Sequence, residues 1–140
     1  MDLIETSLAI ALEAYAGQKD KAGKSYILHP LRLMSKASTE SEMAVALLHD
    51  VIEDSDITAN ELLSRGIPSE VVDAVVCLTK QTGEEYEHFI DRVLTNSLAT
   101  RVKQLDIEDN INVLRLASLS DKDLERVAKY HAAWQKLNQS

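Results

Sequence analysis

One cysteine, two prolines and four glycines are all that this 140-residue chain holds of those types, and its aromatics are one Trp, four Tyr and one Phe. A lone cysteine cannot close an internal disulfide, which excludes a disulfide-stapled secreted scaffold and fits a reducing compartment. Cys77 lies in the apolar stretch 71–78 and reads as core filling rather than as a nucleophile. No apolar run approaches the roughly 18 residues of a membrane span. The opening Met1-Asp2-Leu3-Ile4-Glu5 lacks the basic region of a signal peptide, so a cytoplasmic protein with no membrane partner is expected. Basic residues are also in deficit. The net charge of −8 argues against binding extended nucleic acid, which requires a basic face. A small anionic substrate remains open, because a bound divalent cation and a few local bases can invert the field inside one cleft.

Abundant Leu, Ala, Glu and Lys with few aromatics favour an all-helical domain over a sheet protein. At this length the chain is expected to form one domain over residues 1–140, since no repeat, linker or low-complexity tract divides it. Helical spacing predicts a first helix from Leu3 to Ala16, stopped at Gly17, and then a polar loop. His29-Pro30 opens a short helix that ends near Lys36. Thr39-Glu40-Ser41-Glu42 has the pattern of a capping box and starts a central apolar helix that is expected to end at His49-Asp50. Thr58 to Glu61 repeats that pattern, and Pro68, Gly83, Asn96 and Ser120 open four further helices. On the last of these, Leu124, Val127, Ala128, His131 and Trp134 are expected to face inward.

The central helix is followed by His49-Asp50-Val51-Ile52-Glu53-Asp54. If the helix continues, His49 stacks above Glu53 and Asp50 above Asp54, in neighbouring rows. One imidazole and three carboxylates then converge beside apolar packing, an arrangement that calls for a cation. Asp106, which follows Val102 and Leu105 on another inward helix, is the best further ligand, with Asn110 one turn below it. His29, where a loop turns into a helix, is the best on the N-terminal side. Two imidazoles and two carboxylates suit Mn²⁺, Fe²⁺ or Zn²⁺, and spacing alone does not choose among them.

These motifs resemble those of the HD-domain metal-dependent phosphohydrolases, named for an adjacent His-Asp pair. They are closer still to the guanosine-3′,5′-bis(diphosphate) 3′-pyrophosphohydrolases, the RelA/SpoT-type hydrolase domain and its small stand-alone relatives. The counterparts are Gly17-Gln18, the segment from Ser25 through Tyr26 to His29-Pro30, the segment from His49 to Asp54, and Asp106 with Asn110. They keep family order from about residue 8 to 116. The resemblance implies a compact all-α HD bundle with one catalytic metal in a central cleft, usually Mn²⁺. It implies His29, His49, Asp50 and Asp106 as ligands and Glu53 and Asp54 as the catalytic acidic pair. It also implies substrate contacts from Asn110 and Lys21. Tyr26 could stack on a base or fill the space beneath the His-Pro turn, and Lys103 is a further phosphate-binding candidate. Three departures stand out. Tyr15 occupies a position where the family commonly has His, Asp20-Lys21 replaces a basic pair, and Asn112 stands where Arg is frequent.

The expected activity is therefore metal-dependent hydrolysis of a phosphate ester or pyrophosphate bond in a nucleotide, with the guanosine alarmone as the runner-up substrate. The alternative is an HD-fold module that senses a nucleotide without turnover. Taken singly, the same residues have plainer readings. His49-Asp50 alone is a helix-end pair, and Glu53-Asp54 begins a polar loop. His29 alone is a half-buried histidine before a proline. Glu108 and Asp109 are expected on a solvated face, although Asp109 could orient a ligand. His88 reads as a surface residue and His131 as packing. The ordered set of motifs outweighs these single-residue readings.

Overall fold

The computed structural model describes residues 1–139. They form nine α-helices: α1 (Leu3–Ala14), α2 (Leu28–Lys36), α3 (Glu40–Leu48), α4 (Val51–Asp54), α5 (Ala59–Ser64), α6 (Ser69–Cys77), α7 (Tyr86–Val93), α8 (Ser97–Asn110) and α9 (Asp121–Asn138). A single 3-10 turn, Val113–Arg115, lies between α8 and α9. There is no strand among the described residues, only an isolated bridge between Lys19 and Ser25. None of these helices is long and apolar enough to cross a membrane. The fold is all-helical, as composition and periodicity imply.

Local chemistry explains most of the boundaries. Asp2 and Ser120 each form a complete capping box, with Glu5 and Asp123. At Thr39 and Thr58 only half of the expected box forms. Each hydroxyl accepts the expected backbone N–H, but Glu42 reaches back to the N–H of Ser38 instead of Thr39. Helix α1 ends at Ala14, two residues before the expected stop, and Gly17 takes the turn at φ +78°.

Helix α3 sits in the middle of the bundle. Ala44 to Leu48 are fully buried, which requires protein on every side of the helix. It packs against α1, α2, α6 and α8, and α8 in turn meets α2, α6, α7 and α9. These two helices meet at the core and carry the chemistry at their C-terminal ends. On α9 the inner face differs from the expected one. Ala133 and Leu137 are buried and Tyr130 and Trp134 half-buried, whereas Leu124, Ala128 and His131 are exposed. His131 therefore does not pack in the core; the helix is rotated so that a short stripe near its C-terminus makes the contact.

The central helix does not run on through His49-Asp50. It ends at Leu48, Asp50 adopts φ −106° and ψ 5°, and α4 starts afresh. The Asp54 N–H still bonds the Asp50 carbonyl at 2.9 Å, so Asp54 lies one turn beyond Asp50, while His49 and Asp50 themselves form the break. The break leaves the pair in an irregular turn, where their side chains project toward α2 and α8.

Candidate metal centre

Three segments supply the cluster. His29 lies in the first turn of α2, His49 and Asp50 in the break after α3, and Asp106 one turn before the end of α8. His29, His49 and Asp50 each present a ligand atom within 4.8 Å of the other two. Asp106 stands outside that set of three but touches both rings. Its Oδ1 is 2.8 Å from His29 Nε2 and 3.5 Å from His49 Nε2. The two imidazoles meet edge to face, 5.2 Å between centroids.

The wiring of His49 is the most telling feature. Its Nδ1 lies 2.7 Å from the Ala46 carbonyl, which can only accept, so Nδ1 carries the hydrogen. Its Nε2 is buried without a well-directed hydrogen bond, 3.2 Å from Asp50 Oδ2 and 3.5 Å from Asp106 Oδ1. A neutral ring would aim its Nε2 lone pair at two carboxylates. That repulsion is relieved only by a cation between them, either a proton or a metal ion. His29 repeats the pattern, with Nδ1 2.6 Å from Asp109 Oδ2 and Nε2 facing Asp106.

Electrostatics follow from this crowding. Burial alone would depress both histidine pKa values, but the surrounding carboxylates outweigh it and push them up, His49 well above its ordinary value. Burial likewise disfavours ionised Asp106, yet Lys103 and the two imidazoles hold it well below the usual carboxylate range. Lys103 Nζ is 2.8 Å from Asp106 Oδ2 and 5.2 Å from the centre of the Phe89 ring. It thus bonds a carboxylate of the cluster while lining the larger recess. Asn110 Nδ2 donates to Asp106 Oδ1 at 2.9 Å.

Two tyrosines hold Asp50. The Tyr26 hydroxyl donates to Asp50 Oδ2, and the Tyr15 hydroxyl accepts from the Asp50 backbone N–H at 3.1 Å. Their rings meet edge to face at 5.0 Å. Tyr26 therefore both fills the space beneath the His-Pro turn and positions a candidate ligand. Burial and then the Asp50 charge push both phenol pKa values up, so each remains a neutral hydroxyl.

Glu53 and Asp54 are exposed at the rim. Glu53 Oε1 accepts the Lys80 backbone N–H at 3.0 Å. Burial, then Asp50 and Glu53, raise the pKa of Asp54 to about 6. Its backbone carbonyl accepts from Gln18 Nε2 at 3.1 Å, which ties the N-terminal loop to α4.

The cluster lies between two recesses. The first, about 340 Å³, is lined by His29, Tyr26 and Asn110 together with Lys19, Lys21, Arg32, Arg115 and Arg126. Five of the chain's 15 Lys and Arg residues thus border one cleft of an acidic molecule. The second, about 580 Å³, is lined by Asp50, Glu53, Lys80, Lys103 and Lys129 among others, and Tyr130 borders both. Asp20, the departure with reversed sign, also lines the smaller recess, and its Oδ1 accepts the N–H groups of Ala22 and Lys24. Arg115 and Arg126 bring positive charge to the side where Asn112 replaces the family's usual Arg.

Asp109 overturns its expected place on a solvated face. It is buried and bonded to His29, Arg32 and Arg115, whereas Glu108 beside it is exposed. The spacing held a signal: Asp109 lies three residues after Asp106 on α8, and Arg32 three after His29 on α2, so each pair shares a helix face. Arg115 offered no such signal, because a 3-10 turn carries it back. His88 is exposed, as read from the sequence.

Comparison with known proteins gives a consistent result. No family model matches the chain. It is 30% identical over 92% of its length to a guanosine-3′,5′-bis(diphosphate) 3′-pyrophosphohydrolase of Vibrio cholerae, and 35% identical over 86% to that of Haemophilus influenzae. The Aquifex aeolicus enzyme of the same name is 29% identical over 90% of the chain. The chain spans only 20%, 20% and 19% of these relatives' lengths, respectively. Among solved structures, a metazoan ortholog of SpoT described as hydrolyzing ppGpp superposes with a TM-score of 0.76 at 19% identity, covering 98% of this chain and 85% of that one. The chain therefore has the helical fold of that SpoT ortholog and, over most of its length, is similar to a one-fifth portion of bacterial guanosine-3′,5′-bis(diphosphate) 3′-pyrophosphohydrolases.

Proposed function

We propose that the chain is a metal-dependent phosphohydrolase that cleaves a pyrophosphate or phosphate ester bond in a nucleotide, with guanosine 3′,5′-bis(diphosphate) as first substrate. The observation that carries this reading is the orphaned Nε2 of buried His49, facing the carboxylates of Asp50 and Asp106. The donor set fits a divalent ion, with His29, His49, Asp50 and Asp106 as its ligands and Mn²⁺ as its identity. A bound ion of this kind supplies a Lewis acid for a phosphoryl oxygen and neutralises charge that develops in the transition state.

The protein's own groups do the rest. Glu53 takes a proton as water oxygen bonds to the phosphorus, and the P–O bond to the ribose oxygen breaks. Pyrophosphate departs, and the ribose oxygen regains a proton. Asp54, whose proton affinity is raised, hydrogen-bonds the water or Glu53. Lys21 and the neighbouring bases of the smaller recess attract the nucleotide's phosphates, Asn110 contacts sugar or phosphate, and Tyr26 borders the same space. The likeness to named pyrophosphohydrolases favours the alarmone over other nucleotides. A single free cysteine and an acidic surface accord with a cytoplasmic setting.

The test is to incubate Mn²⁺-loaded protein with guanosine 3′,5′-bis(diphosphate) and follow pyrophosphate release. The Glu53→Gln variant is expected to bind the nucleotide normally and turn it over about 10²- to 10⁴-fold more slowly. Absence of release by the wild type, or unchanged turnover in Glu53→Gln, contradicts the proposal.

A further inference from the structure

Asp109 has no part in the scheme above, yet it is one of the most heavily bonded side chains in the molecule. Its carboxylate meets three cationic or donor groups from two other segments. Arg32 of α2 grips it with two bonds, Nε to Oδ1 at 2.8 Å and Nη2 to Oδ2 at 3.0 Å. Arg115, from the 3-10 turn, donates Nη2 to the Asp109 backbone carbonyl at 2.6 Å and brings Nη1 to 3.5 Å from Oδ2. The third group is His29 Nδ1, 2.6 Å from the same Oδ2. Asp109 is 6% exposed, whereas both arginines are about one-third exposed and border the basic recess.

A planar guanidinium gripping a carboxylate through two bonds fixes the orientation of that carboxylate, not only its position. The Asp109 plane is thus set before His29 meets it. The clamped carboxylate at Nδ1 holds a hydrogen on this nitrogen, so that with a metal ion at the centre Nε2, 2.8 Å from Asp106 Oδ1, is the ring atom whose lone pair turns toward His49, Asp50 and Asp106. The ring is also pinned against rotation, because its second nitrogen is held 80 residues away in sequence.

We infer that Asp109, clamped by Arg32 and Arg115, is the positioning residue that fixes His29 as an Nδ1–H tautomer with Nε2 as the metal-binding atom. The inference rests on the metal-centre reading above and deepens it. The clamp also joins that centre to the basic recess, since the guanidiniums that orient Asp109 belong to the recess wall. Carboxylates that orient metal-bound histidines typically contribute 10- to 100-fold in metal affinity.

The test uses the metal-free full-length protein and Mn²⁺, with free ion followed by electron paramagnetic resonance. Asp109→Asn, which keeps the shape but loses the charge, is expected to bind Mn²⁺ about 10- to 100-fold more weakly than wild type. A double Arg32→Gln, Arg115→Gln variant is expected to bind several-fold more weakly while every metal ligand is retained. Circular dichroism checks that each variant is folded. A second readout needs no substitution: ¹⁵N chemical shifts of the imidazoles in Zn²⁺-loaded wild type should report His29 protonated at Nδ1 and metal-bound at Nε2. Unchanged Mn²⁺ affinity in either folded variant, or the opposite tautomer at His29, overturns the inference. His49→Ala separates the levels. If it binds Mn²⁺ like wild type, the metal centre itself is wrong; if it loses the ion while Asp109→Asn does not, only the role of Asp109 fails.

Discussion

At the scale of single residues, the centre is defined by how each hydrogen-bonding atom is committed. His49 gives Nδ1 to a carbonyl and Asp50 receives the Tyr26 hydroxyl, so each candidate ligand has a fixed remaining direction. Replacing Tyr26 by Phe removes a hydrogen bond to a charged acceptor without changing ring packing against Tyr15. The expected loss is about 1.5–3 kcal/mol of unfolding free energy, measured by urea titration in the presence of chelator. That His29, His49, Asp50 and Asp106 come together was readable beforehand, because His-Asp, His-Pro and Asp106 each sit at an element boundary or on an inward helix face. Asp109 was misread because its spacing from Asp106, which places both on one helix face, was outweighed by the run of acids in which it lies. The nearby Arg32 on α2 is the partner that makes its burial tolerable. Lys103 lines the larger recess, with its Nζ both on Asp106 and 5.2 Å from the centre of the Phe89 ring, a pairing that sequence spacing with Asp106 allowed but did not reveal for Phe89.

At the scale of elements, caps and breaks decide what reaches the site. The Asn96 and Ser120 caps could be located from sequence because their oxygens satisfy N–H groups close in the chain. The end of the central helix at His49-Asp50 was also legible, since the structure ends it at Leu48 with His49 as its cap. The fresh start of α4 at Val51 was not, because Val51 and Ile52 continue the apolar run before them. The loop between α6 and α7, which borders the larger recess, is held by Arg92. That guanidinium bonds Glu84 through two nitrogens and also donates to the carbonyls of Cys77 and Thr79. The Arg92 contact, aided by the Gln81 N–H, lowers the Glu84 pKa from 4.5 to about 2. A depressed carboxyl pKa means the folded state binds fewer protons than the unfolded state between those values. The resulting stability is full above pH 4.5 and is lost as pH falls toward about 2. Glu84→Gln is accordingly expected to lower the melting temperature at pH 7, and its deficit should shrink steadily below pH 4.5. A deficit that stays constant across that range would exclude the ion pair as its source.

At the scale of the whole molecule, an acidic chain brings five of its 15 bases to one recess and gathers its buried acids in the adjoining cluster. That division makes sense if the acids are matched by a bound cation and the bases by a bound anion. The all-helical architecture follows from composition and spacing, whereas the smaller recess does not, because it depends on where the loop 18–25 and the 3-10 turn come to rest. The claim on which everything else depends is that His29, His49, Asp50 and Asp106 enclose one divalent ion. The most direct measurement is an anomalous difference map, recorded at the manganese edge from crystals of the protein grown with Mn²⁺. One strong peak bounded by His29 Nε2, His49 Nε2 and the carboxylates of Asp50 and Asp106 is predicted. No peak there, or a peak held by other residues, would contradict it.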